Sequence, residues 1–333
     1  MLDVITLGTV TNDLFLESKQ FKPFHDSDFP KKEFPRGMAE CFALGSKLYI
    51  DSLTQSVGGD ASNAAVTFSR QGFQTGFIGK LGTDVNTKII QEQFKKEKIK
   101  LLTKTPSKKQ TDTSVILLSP TGERTILVSR GASNDFSAKD VPNAKAKWWY
   151  IAPGKISSVI ILNLVKKLKK ENTSIAFNPS GYYIEHELEA LKTICKYADI
   201  VIANREEGAK ITGKSYEKIK DIFKAFDALV PGVAVLTDGA KGAFVSDGRM
   251  MYRALPFKEK KLIDRTGAGD AFGSGFVAGF IQKNDIGYAL RLASANATSV
   301  VEHLGAHEGI LSKKDFLGSR WKFVDLDVES LHA

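Results

Sequence analysis

The residues best able to do chemistry lie late in the chain. There Leu262 and Ile263 lead through Asp264-Arg265-Thr266-Gly267-Ala268-Gly269-Asp270 into Ala271-Phe272-Gly273. The pattern predicts an apolar strand end, a glycine turn and an apolar helix over 271–281. Glycines at a helix start let backbone N–H groups converge on an anion, and the helix dipole favours the negative charge. Asp270 narrows the reading. A carboxylate repels a phosphate, so a loop that only bound phosphate should avoid it. It fits if it takes the proton of a hydroxyl that attacks that phosphate. The competing reading is a tight turn with Asp270 as helix N-cap. A dinucleotide fingerprint fits poorly, because Gly267, Gly269 and Gly273 are spaced one residue too long for G-x-G-x-x-G.

A second group is Gly58-Gly59-Asp60-Ala61-Ser62-Asn63. Paired glycines allow close approach of backbone to ligand, and the Asn63 amide can both donate to and accept from hydroxyls. An ordinary capped helix start reads equally well. A third group, Asn204-Arg205-Glu206-Glu207, follows the apolar run 200–203. Ligands of α/β folds gather at the C-terminal ends of parallel strands, and a carboxylate there can act on hydrated Mg²⁺. The alternative is an exposed helix start with favourable acids. Thr237-Asp238-Gly239 forms another strand-end turn. Gly208 to Ser215 matches the phosphate-loop pattern G-x-x-x-x-G-K-[ST]. A true phosphate loop leaves a buried strand directly. Here 204–207 intervene, and 206–212 reads as a short helix with Gly213 as its C-cap.

The elements that must position these groups alternate between short apolar runs and helical stripes. Strands are expected at 3–7, 75–78, 148–151, 174–177, 200–203 and 233–237. Helices are expected at 62–71, 87–96, 157–170 and 216–226. This is an α/β fold with a mainly parallel sheet. Two segments break the rhythm. Residues 14–57 hold one good strand, 47–51. Residues 111–130 read as a hairpin, 114–118 and 125–128, around Ser119-Pro120-Thr121-Gly122. Such insertions often form a lid. No internal repeat or low-complexity tract is present.

Composition bounds the function classes. The 333 residues are 42% hydrophobic, too many for a disordered chain. Two cysteines, Cys41 and Cys195, cannot make a disulfide framework or a cysteine-rich zinc site. No apolar run reaches the roughly 18 residues of a membrane span. The N-terminus lacks a basic start and reads as a strand, so a soluble cytoplasmic protein is expected. The formal charge of +9 leaves nucleic acid or an anionic small substrate open. The densest basic runs, Lys95 to Lys100 and Lys166 to Lys170, fall at helix C-termini without interleaved aromatics. They read as solvated faces rather than a nucleic-acid groove.

Together these motifs resemble the ribokinase (PfkB) family of carbohydrate kinases, over about residues 3–310 and in the family's order. The resemblance implies a ribokinase-like central, mainly parallel sheet flanked by helices, with a small β lid. The kinase domain would span 1–315, with lid insertions at about 14–57 and 111–130 and a C-terminal tail at 316–333. It implies ATP-dependent phosphorylation of a sugar hydroxyl with Mg²⁺, or of a nucleoside in the alternative. Asp270 matches the catalytic base, and the amides of Gly267, Ala268 and Gly269 match the anion hole. Asp13, Gly58, Gly59 and Asn63 match the substrate contacts. Asn204 and Glu207 match the N-x-x-E motif, Glu207 acting on Mg²⁺ through water. Thr237 and Gly239 match nucleotide contacts. Asp264 and the Thr266 carbonyl match a K⁺ loop found in part of the family. Expected partners are a sugar or nucleoside and a second chain through the lid, with neither nucleic acid nor membrane.

There are departures. Arg265 replaces a small Thr or Ser, and Asp60 stands where some ribokinases carry a sugar-touching Lys. In the adenine-side helix, Ser294 replaces an Asn, with Asn296 two positions on. Phe15, Phe21, Phe24 and Phe42 are expected to pack the lid rather than cover a base.

Overall fold

The structure is a computed structural model that describes residues 1–25, 38–103, 105–120 and 124–332. From the N-terminus, β1 (Leu2–Gly8) leads to β2 (Thr11–Glu17), β3 (Pro23–His25), β4 (Met38–Glu40) and β5 (Ser52–Gly58). Next come α1 (Asp60–Arg70), β6 (Thr75–Ile78), α2 (Val85–Lys96), β7 (Lys100–Leu101), β8 (Thr113–Leu118) and β9 (Arg124–Ser129). The middle alternates: β10 (Ala146–Ala152), α3 (Ser158–Lys170), β11 (Ser174–Phe177), α4 (Gly181–His186), α5 (Leu188–Cys195), β12 (Ile200–Asn204), α6 (Arg205–Thr212), α7 (Ile219–Asp227) and β13 (Val233–Thr237). Then follow β14 (Ala243–Ser246), β15 (Met250–Ala254), α8 (Ala268–Lys283), α9 (Ile286–Val301), α10 (Lys313–Phe316) and β16 (Leu326–Ser330).

The main sheet has the order β16-β15-β14-β13-β12-β11-β10-β1-β6-β7. It is parallel from β13 through β7 and antiparallel only across β13 to β16. Both faces are covered, so its central strands are apolar on both sides. In β10, Trp149 and Ile151 face a core that includes residues of α3, α5 and α7, while Tyr150 and Ala152 face residues of α1, α8 and α9. A second sheet, β5-β2-β8-β9, forms the lid. Among the described residues no helix is long and apolar enough to cross a membrane.

The expected hairpin is present as antiparallel β8 and β9, although Thr121 and Gly122 of its turn lie outside the described residues. Several expectations are corrected. Residues 47–51 are not a strand, because the β2 ladder against β5 stops at Glu17 opposite Ser52. Side chains replace the ladder there: Gln20 accepts from the Tyr49 amide and Ser18 donates to the Tyr49 carbonyl. Residues 262–263 are also not a strand end. This segment leans on α9, with the Ile263 amide donating to the Val301 carbonyl. The helix expected from 216 begins at Ile219, since the Arg205 guanidinium takes the carbonyls of Tyr216 and Glu217. Phe15 and Phe21 are buried as expected, but Phe24 and Phe42 remain exposed. The lysine runs lie on exposed helix ends.

Candidate active site

Asp13 sits in β2, opposite Ser56 of β5 and Ser114 of β8. A Cβ on Gly58 would lie 2.1 Å from Asp13 Oδ2, so only glycine lets the carboxylate settle there. Asp13 Oδ1 is buried with no hydrogen-bond partner in the protein. Burial pushes the Asp13 carboxyl above the usual range, while the Thr11 and Ser114 hydroxyls and the Arg130 charge oppose the rise.

Gly59 is the N-cap of α1, and Asn63 lies in that helix's first turn. Asn63 Nδ2 donates to Asp270 Oδ2 at 2.7 Å, joining residues 207 apart in the chain. Asn63 Oδ1 is likewise buried and unpartnered. Ser62 turns inward instead, with Oγ 3.5 Å from Nε2 of the buried His307. Burial pushes that imidazole down to about 3, so it is neutral.

Asp270 lies in the first turn of α8, and the N-cap is Gly267. The reading of Asp270 as N-cap is therefore corrected: its side chain faces Asn63, not its own helix start. Burial, then the charge of Asp60, pushes its carboxyl up to about 8, against the Asn63 hydrogen bond. Gly267 has φ 76°, and a Cβ there would strike Ala306. The Gly267 and Gly269 amides have no acceptor within the protein, whereas the Ala268 amide reaches the Arg265 carbonyl at 3.3 Å. Two free amides thus lie within three residues of the carboxylate. Asp264 braces the turn. Its Oδ1 accepts from the Thr266 amide and hydroxyl at 2.9 and 2.8 Å, and its Oδ2 from the Gly305 amide at 3.3 Å. Arg124 of the lid stands 3.7 Å from the same carboxylate.

At the C-terminal ends of β12 and β13, Asn204 is in register with Thr237. Asn204 and Glu207 form a reciprocal capping box on α6. Asn204 Oδ1 accepts the Glu207 amide at 2.8 Å, and Glu207 Oε2 accepts the Asn204 amide at 2.9 Å. Among the described residues, Glu207 Oε1 has no hydrogen-bond partner. Burial raises the Glu207 carboxyl, and the charges of Asp60 and Glu206 add to the rise. Gly239 opens a short turn in the left-handed region, φ 54°. Asp238 beside it is held by Arg205 at 2.9 Å and by the Tyr216 hydroxyl at 2.6 Å. Gly213 is the left-handed C-cap of α6, so the phosphate-loop match falls on a helix C-terminus, where carbonyls rather than N–H groups are free. Asn296 turns into the core, donating to the Ala271 carbonyl and accepting from the Leu311 amide.

Asn63 and Asp270 are thus brought into contact, as are Asp13 and Gly58, while Asn204 and Thr237 end adjacent strands with Glu207 on the helix that follows. Two further residues bear on these groups electrostatically: Asp60, which lies in the second sequence motif and departs from the ribokinase pattern, and Arg130, which carried no sequence signal. Arg130 lies just after β9 and ion-pairs with Asp112 at 3.3 Å.

Residues 37–313 match the family model described as pfkB family carbohydrate kinase. Over 249 residues the chain is 28% identical to an uncharacterized sugar kinase of Archaeoglobus fulgidus, covering 73% of this chain and 97% of that one. It is 29% identical over 253 residues to a cytidine kinase of Thermococcus kodakarensis, covering 74% and 88%. The fold is similar to the crystal structure of the Methanocaldococcus jannaschii nucleoside kinase, described as an archaeal member of the ribokinase family. The TM-score is 0.76 at 20% identity, over 97% of this chain and 98% of that one.

Proposed function

Because the chain belongs to the PfkB family of carbohydrate kinases, and so is a phosphotransferase with an alcohol acceptor, we propose that it moves the γ-phosphate of ATP to a hydroxyl of a sugar. The observation that carries this reading is the Asn63–Asp270 contact beside the free Gly267 and Gly269 amides. Asp13 and Asn63 offer lone pairs to acceptor hydroxyls and orient the ring. Asp270, with a carboxyl tuned to about 8, takes the proton of the attacking hydroxyl. The helix-start amides steady the transferring phosphoryl oxygens. Catalysis is positioning and electrostatics, without a covalent intermediate.

Glu207 would hold Mg²⁺ through water, and the cation would supply charge to offset the ATP phosphates. Asn204, Thr237 and Gly239 line the nucleotide side. Asp264 fits a monovalent cation poorly, since its oxygens already accept three hydrogen bonds and a guanidinium stands beside them. Exposed Ile126, Leu127 and Val128 on the lid edge β9 support pairing of two chains through the lid.

Asp270→Asn tests the reading. Turnover with the best acceptor should fall by about 10³-fold, while calorimetry finds acceptor binding nearly intact. Near-normal turnover would sink the assignment of the base. A nucleoside acceptor is the second reading, supported by the likeness to a cytidine kinase. Thermal shifts with ribose, fructose, cytidine and adenosine separate the two, since a productive ligand stabilises the folded state.

A further inference from the structure

The proposed acceptor side holds more carboxyl groups than phosphoryl transfer requires. Transfer needs one carboxylate at the attacking hydroxyl, Asp270. Asp60 adds another. It stands one helical turn before Asn63 on the same face of α1, and Asn63 touches Asp270. Among the described residues its side chain makes no ion pair and no hydrogen bond to another residue's side chain. Burial raises the Asp60 carboxyl itself, and its charge bears on the carboxyls of Asp270, Glu207 and Asp13. Arg130 is the cation that reaches Asp13 and Asp60, and Asp112 shares its charge.

The unpartnered atoms point the same way. Asp13 is 7% exposed and Asn63 3% exposed, and in each the buried Oδ1 lacks a partner. These atoms and the Asp60 carboxylate are all hydrogen-bond acceptors. They demand O–H or N–H donors, which hydroxyls and ammonium groups supply and an ionised carboxylate or phosphate does not.

We propose that Asp60 is a specificity residue that screens acceptors by charge: the site takes neutral or amine-bearing polyols and rejects those carrying a phosphate or carboxylate near the reacting hydroxyl. The inference rests on the kinase reading above. A second anion within about 6 Å of Asp60, at an effective dielectric near 20, lowers binding on the order of a hundredfold.

The test is kcat/KM of the full chain with Mg·ATP against ribose, cytidine, glucosamine, gluconate and fructose 6-phosphate. The best neutral or amino acceptor should exceed both anions by about a hundredfold. Asp60→Asn should narrow that ratio by about tenfold or more, a change that a merely structural role would not produce. If the variant does not fold, the wild-type ratio alone decides. Wild-type preference for either anion overturns the charge screen and leaves the kinase reading standing. So does an unchanged ratio in an Asp60→Asn enzyme that still phosphorylates the neutral acceptor. Turnover of no acceptor overturns the kinase reading, and the inference with it.

Discussion

As the proposed base, Asp270 must hold a negative charge where the surroundings resist it. Burial and the Asp60 charge lift its carboxyl to about 8, and only the Asn63 amide pulls it back. A base of this strength is well matched to a hydroxyl proton, but it is active only when deprotonated. The acid limb of kcat/KM should therefore fall near pH 8, with activity dropping tenfold per pH unit below it. In Asp60→Asn the limb should move to lower pH. A limb near pH 4 in the wild type would show that Asp270 is not tuned this way. The same shift has a stability sign. The folded carboxyl holds its proton more tightly than the unfolded one, whose ordinary value is 3.8. Its contribution is fully present below about pH 4 and is lost as pH rises through about 8. Substrate-free Asp270→Asn, which carries no charge to bury, should melt above the wild type at pH 8 and close to it at pH 4.

At the scale of the element, Asn204 and Glu207 cap α6 reciprocally. In the proposed function the same glutamate also acts on Mg²⁺ through its second oxygen. The two readings made from the sequence, a helix start and a cation ligand, are then compatible. Glu207→Gln separates them. Its amide oxygen still accepts the Asn204 N–H, so the melting temperature should stay within about 2 °C, the shift expected of a few tenths of a kcal/mol. The lost charge should raise the Mg²⁺ concentration for half-maximal rate several-fold. A large fall in melting temperature with unchanged Mg²⁺ dependence would make Glu207 a cap alone. The lid is a second element with a double role. Its strand β2 delivers Asp13, and its strand β9 delivers Arg124 to Asp264, so lid position and the glycine turn are mechanically joined.

On the scale of the whole molecule, the C-terminal residues are built into the main sheet. Strand β16 pairs with β15, Leu331 is fully buried, and Trp321 packs edge-on against Phe257. Truncation after Asp325 should expose the β15 edge, lower the melting temperature and promote aggregation. A truncated chain as stable and as dispersed as the full one would make β16 dispensable. Much of this protein was legible in residues 1–333 read as a string. Strands 75–78, 174–177 and 233–237 fall where their apolar runs end, because burial on both faces leaves a local signature. Gly213 marks the end of α6, and the glycine turn before Asp270 announces a helix start, because caps and turns are set by the residues that form them. What only the tertiary structure decided was which side chain meets which. Asn63 reaches Asp270, Arg205 is taken up by Asp238 and Tyr216, and the Asp60 charge bears on Asp270. Those contacts join distant segments through strand order and helix placement, and no local pattern records them, because their energies arise only once the sheet has brought the segments together.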